Sequence, residues 1–133
     1  LPGQKYPGLG IMRISMTVIV DLAKQIGKEA VVNIPEYYHN AVLYEPEFRF
    51  FSAFVEGRFQ ALQKTLSHFS LAEASHAVHS GKVWNESKNE PFIWRPHEQI
   101  LGLVPRIIDY FASPLYAEKM HTAQFESRFK LRK

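Results

Sequence analysis

The stretch from Gly3 to Phe54 constrains the fold most, because its hydrophobic period switches repeatedly and glycine or proline marks each switch. The opening LPGQKYPGLG is a loop, since no regular element tolerates that density of Gly and Pro. Ile11 to Gly27 follows, with Ile11, Ile14, Val18, Leu22 and Ile26 on one helical stripe and Ile19 and Ala23 beside them. Gly27 is placed to end that helix in a left-handed turn. Glu29 to Ile34 is short, β-branched and bounded by Gly27 and Pro35, which predicts a buried strand. Pro35 opens a helix over Glu36 to Glu45, and the aromatic run Phe48 to Phe54 predicts a second strand. Loop, helix, strand, helix, strand makes an α/β unit, and the expected class is α/β or α+β.

From Val55 onward the pattern is helical. Phe59, Leu62, Leu66 and Phe69 recur at three- and four-residue steps, and Leu71 to His79 forms a short helix closed by Ser80-Gly81. Lys82 to Glu90 is polar and reads as a loop, with Phe92 to Trp94 a short extended piece before Pro96. His97 to Phe111 is helical in period, kinked or restarted at Pro105. Ser113-Pro114 fits an N-cap with proline at the first helical position, opening a last helix to about Phe129. The expected organisation is therefore an α/β part over residues 1–54 and an all-helical extension over 55–133. With 133 residues, 46% of them hydrophobic, one core is supported and two independent ones are not.

The chain has no Cys, which excludes disulfides, thiolate metal ligands and a cysteine nucleophile. A cytoplasmic location is the expectation. The longest apolar run, Ile14 to Leu22, is interrupted by Ser15, Thr17 and Asp21 and is too short to span a membrane. The formal charge of +3 gathers partly in the tail Arg128, Lys130, Arg132 and Lys133, the one segment that approaches the basic and aromatic interleaving of a nucleic-acid surface, and a solvated tail is the expectation there. The same excess suits an anionic ligand.

Lys5-Tyr6-Pro7-Gly8-Leu9-Gly10 carries the strongest chemical signal. Glycines ahead of a helix let the backbone approach an anion, and the first N–H groups of the helix point at it. The dinucleotide spacing is absent, because Arg13 stands where its third glycine would be. An ordinary Gly-rich loop fits the residues equally well. Further along come His39-Asn40-Ala41-Val42-Leu43-Tyr44 and then Phe48.

In order, element type and spacing, Lys5-x-x-Gly8-x-Gly10, a helix, the strand Ala30 to Ile34, the Asn40 to Tyr44 segment and Phe48 resemble the C-terminal half of the GNAT N-acetyltransferase fold. Lys5 stands where that family usually has Gln or Arg, which keeps a cation without the planar fork. Glu47-Phe48 replaces its Gly-Phe. The resemblance implies that acetyl-CoA is the co-substrate, its pyrophosphate held by backbone N–H groups from Tyr6 through Pro7, Gly8, Leu9, Gly10 and Ile11 to Met12, beside the Lys5 cation. It implies that Asn40 hydrogen-bonds the cofactor and that the Tyr44 hydroxyl protonates the departing thiolate. A half-buried core tyrosine and a local helix contact are the structural alternatives for Tyr44 and Asn40.

The implied reaction is acetyl transfer to a primary amine by direct attack. The implied carbonyl-polarising strand and general base lie upstream of Leu1, so the chain reads as part of a larger fold, completed by a second copy or another chain. The acceptor's identity is not readable. The rivals are a non-catalytic CoA-binding module and a helical protein-interaction module.

Other groupings are weaker. Glu73, His76 and His79 share a helix face without a further ligand at metal spacing, and no metal is expected. His39 stands beside Asn40, within reach of a ligand there, and Trp84 and Trp94 flank the polar loop, suited to packing the extension onto the α/β part.

Overall fold

Helix α1 (Leu9–Gln25) ends at the glycine the sequence supplies. Gly27 adopts φ +75°, its N–H donates to the Lys24 carbonyl at 3.1 Å, and Lys28 N–H donates to that of Ala23 at 2.8 Å. That pair of bonds satisfies carbonyls the helix leaves open. The computed structural model describes residues 9–132, with side chains from Ser15 onward. Its class is α+β, helix-rich with two small antiparallel sheets.

The first sheet contains β1 (Ala30–Asn33), β2 (Arg49–Phe50) and β5 (Gln99–Gly102), in the order β1-β5-β2. β5 is the middle strand, pairing Val32 with Ile100 on one side and Phe50 with Gln99 on the other. The expected all-helical character of 55–133 is thereby corrected. Ile100, Leu101, Val104 and Ile108 mimic a helical stripe, but the free edges of β1 and β2 capture Gln99–Gly102 as a strand, and Pro105 starts α5 (Pro105–Ala112) only afterwards. β1 is an edge strand with Val32 exposed, and not the buried strand the sequence predicts.

The second sheet, β4-β3-β6, is a further correction. β3 (Val83–Asn85) and β4 (Glu90–Pro91) form a hairpin where a loop was expected, and β6 (Phe129–Leu131) pairs with β3 instead of extending the last helix. Strands this short leave little alternation to read.

The other helices are α2 (Tyr38–Leu43), α3 (Ala53–Thr65), α4 (Leu71–His79) and α6 (Pro114–Glu126), of which α3 touches both sheets through β2 and β6. The strand expected to run to Phe54 stops at Phe50, because Ser52 caps α3 by accepting from Val55 N–H at 3.3 Å. α4 opens with a reciprocal cap between Ser70 and Glu73. α6 starts as the sequence predicts, with Ser113 accepting from Tyr116 N–H at 3.1 Å and Pro114 in its first turn. α3 and α6 touch at Gly57, where a Cβ would lie 2.1 Å from the Met120 carbonyl oxygen.

The core joins Phe50, Phe59, Leu62, Leu66, Val78 and Val83. Two buried polar side chains organise it. Glu56 accepts from Phe50 N–H at 3.0 Å and Gln60 Nε2 at 2.8 Å, tying β2 to α3. Gln99 accepts from Asn33 Nδ2 at 3.1 Å and donates to the Ala41 carbonyl at 3.2 Å, tying β5 to β1 and α2.

Candidate functional site

Tyr44 is the C-cap residue of α2. Its N–H donates to the Asn40 carbonyl at 3.3 Å, and its own carbonyl accepts from Phe48 N–H at 3.0 Å. The Phe48 ring meets the phenol ring edge-on at 5.5 Å. These contacts fix a half-buried tyrosine at the α2–β2 turn, beside a cleft of about 210 Å³ facing α1. Met16 and Val20 come from α1, Leu43 and Phe48 from either side of Tyr44, and Leu101 from β5. Asp21, Glu47 and Thr17 also border the cleft, so its charged groups are anionic. A phenol there can hydrogen-bond a carbonyl or give a proton to a leaving group, in surroundings that favour an uncharged ligand.

The other expected site residues are placed less directly. Lys5, Tyr6, Pro7 and Gly8 lie outside the described residues. Leu9, Gly10, Ile11 and Met12 form the first turn of α1, where a helix leaves its N–H groups without internal partners. Asn40 is one turn before Tyr44, but it does not line the cleft. Its Oδ1 is buried and has no hydrogen-bond partner among the described residues. That orphaned acceptor is the feature most open to a donor from elsewhere.

His39 is engaged with the protein itself. Its Nδ1 lies 2.8 Å from Ser75 Oγ, and its ring stacks on Tyr37. His79 Nε2 accepts from Tyr38 N–H at 3.1 Å, which fixes the proton of the neutral ring on Nδ1. Burial first, and His39 second, hold His79 below the usual imidazole range. The histidines therefore dock α4 onto α2. Among the described residues no three His, Asp or Glu side chains gather as a metal site. Trp94 packs the later part of the chain onto the earlier one, its Nε1 donating to the Pro35 carbonyl at 3.2 Å. Trp84 instead lies under the Arg132 guanidinium, 3.7 Å from the ring centre.

Glu45 gives no sequence signal, yet it is the most perturbed carboxyl of this region. Its pKa is pushed up to about 7, chiefly by burial and further by Glu56, against the Gln63 hydrogen bond and Arg49. Gln63 Nε2 donates to it at 2.8 Å, and it does not line the Tyr44 cleft. Leu101 was equally hidden, because it reaches the cleft only through the insertion of β5 between β1 and β2.

No helix among the described residues is long and apolar enough to cross a membrane. Comparison of the chain with protein-family models, curated proteins and solved structures gives no match.

Proposed function

We propose that the chain is the cofactor-binding part of an N-acetyltransferase that moves acetyl from acetyl-CoA to a primary amine. The observation carrying this reading is Tyr44, fixed by a helix end beside an apolar cleft that α1 borders on its other side. The same helix begins at the glycine-rich segment where the pyrophosphate would sit. The cleft suits the uncharged acyl-thioester end of the cofactor, while Asp21 and Glu47 oppose its phosphates, which belong at the helix N-terminus. In the transfer the amine nitrogen bonds to the acyl carbon, the carbon–sulfur bond breaks, and the Tyr44 hydroxyl protonates the thiolate. The amine's proton goes to a base outside the residues described here.

A partner chain completing the first sheet belongs to the same reading. Among the described residues β1 has a free outer edge, and Val18, Ile19, Leu22 and Ile26 of α1 are exposed although they form the apolar stripe of that helix. An uncovered strand edge beside an uncovered apolar stripe is a surface built to be paired.

Calorimetry with acetyl-CoA tests the reading. Replacing Gly8 and Gly10 with bulkier residues in folded protein is expected to abolish binding. Tyr44→Phe is expected to keep binding but lower kcat by about a hundredfold in an amine-acceptor assay. Binding without turnover towards any amine would favour the non-catalytic CoA-binding module. A folded protein, completed by its partner chain, that ignores acetyl-CoA would overturn the transferase reading.

A further inference from the structure

A second cleft, of about 270 Å³, lies between α3, the β3–β4 hairpin and the segment leading to β5. Its wall is aromatic. Phe59 and Phe50 meet edge-on with centroids 5.2 Å apart, Phe59 and Trp94 lie 6.1 Å apart, and Phe92 continues the surface 6.5 Å from Trp94. Its charged groups are mostly cationic: Arg58 from α3, Lys88 from the hairpin turn and Arg95 from the following segment, facing the single carboxylate of Glu90.

Arg58 is the informative member. It is half-buried, and no carboxylate lies within ion-pair distance of it among the described residues, whose sole ion pair joins Arg106 to Glu29. Nor, among the described residues, does its guanidinium make a hydrogen bond. Burial alone lowers the Arg58 pKa from its ordinary value. A guanidinium carries several donors in a rigid fork, and leaving them half-desolvated and unpaired is unfavourable. Chains usually avoid this by placing an acid nearby.

His97 shows that the cations converge. Its ring lines the same cleft and is held below the usual imidazole range by burial, then by Arg58 and Arg95, with Glu98 acting in the opposite sense. Near neutral pH it is therefore an uncharged group able to donate one N–H beside two guanidiniums. A forked cation over an aromatic wall is complementary to one kind of ligand: an anionic head that takes the guanidinium donors and a flat apolar body that stacks on the rings.

We infer that this cleft is a binding site for a small organic anion with an aromatic body, a one-ring carboxylate or phosphate monoester. The volume admits one ring and its head group. This site is separate from the Tyr44 cleft and shares no lining residue with it, so it stands whether or not the chain binds acetyl-CoA.

Titrations with benzoate, phenyl phosphate, benzyl alcohol and inorganic phosphate test the inference. They would be followed by calorimetry and by the indole N–H resonances, assigned through Trp84→Phe. Benzoate or phenyl phosphate is expected to bind saturably at about millimolar concentration or below, moving the Trp94 resonance and not that of Trp84. Whichever binds more tightly identifies the head group. Benzyl alcohol and inorganic phosphate, each lacking half of the match, are expected to bind at least about tenfold more weakly. Arg58→Gln should weaken the aromatic anion by about tenfold or more. Arg95→Gln, at an exposed position, serves as the second variant if the first perturbs folding. Four outcomes would each overturn the inference: no saturable anion binding, equal binding of benzyl alcohol, equal binding of inorganic phosphate, or folded Arg58 and Arg95 variants that bind unchanged.

Discussion

Gly57→Ala puts two opposed effects in direct competition. Gly57 lies inside α3, where alanine is intrinsically better than glycine by about 1 kcal/mol. Against this, the added Cβ would stand 2.1 Å from the Met120 carbonyl oxygen, 2.9 Å from Ala123 Cβ and 2.9 Å from Gln124 N. Ordinary carbon contacts need about 3.5 Å, and two of the three atoms are backbone of α6, which cannot rotate away as a side chain would. The helices must separate by roughly 1 Å along a seam that also holds Ala53, Tyr116 and Met120. Overpacking of this kind costs about 1–3 kcal/mol, and the rigid partner argues for the upper end. Less the propensity gain, a net loss of about 2 kcal/mol is expected, lowering the thermal midpoint by about 8 °C. Urea unfolding at fixed pH, with the slope unchanged, measures it. A neutral or stabilised variant would show that α3 and α6 do not meet at Gly57 and would refute the packing described here.

Glu45 should make stability fall as pH rises. Its folded pKa lies near 7 against an ordinary 4.5, so the folded chain holds the proton more tightly than the unfolded one. The stabilisation is complete below about pH 4.5 and is lost as the pH rises through about 7. Discounted for the solvent that reaches the side chain, the effect is on the order of 2 kcal/mol. Glu45→Gln keeps an acceptor for Gln63 and should flatten the urea-midpoint profile between pH 5 and 8, whereas parallel profiles would contradict the assignment. Gln99→Leu removes both bonds that link β5 to Asn33 and Ala41 and strands a buried carbonyl, for an expected loss of about 2–3 kcal/mol. Chemical denaturation measures that loss, and an unchanged midpoint would mean the bonds contribute nothing.

The elements legible in the sequence are those whose signals are local. Gly27 ends α1, Pro35 precedes α2, and Ser113-Pro114 opens α6, each through atoms within a few residues. The capping pair Ser70 and Glu73 is of the same kind. The strands of residues 83–131 were hidden because distant partners decide them: Gln99 to Gly102 carries a helical-looking pattern until β1 and β2 claim it. The apolar stripe of α1 was legible, but its fate was not, since periodicity marks a face for burial without saying what covers it. Of the site, Tyr44 was found through its place in a motif. Arg58, Arg95 and His97 were not, because cleft residues drawn from separate elements share no spacing.

The middle position of β5 also fixes an order of events on the ribosome. β1 and β2 emerge early and never pair with each other, and 66 positions separate Asn33 from its partner Gln99. The first sheet therefore has no nucleus until the late segment leaves the exit tunnel. Until then two short strands wait unpaired, the kind of surface that nascent-chain chaperones hold. Synthesis halted before Gln99 would release a chain with α1 to α4, no first sheet and no α6 to pack on α3, well suited to rapid clearance by proteases.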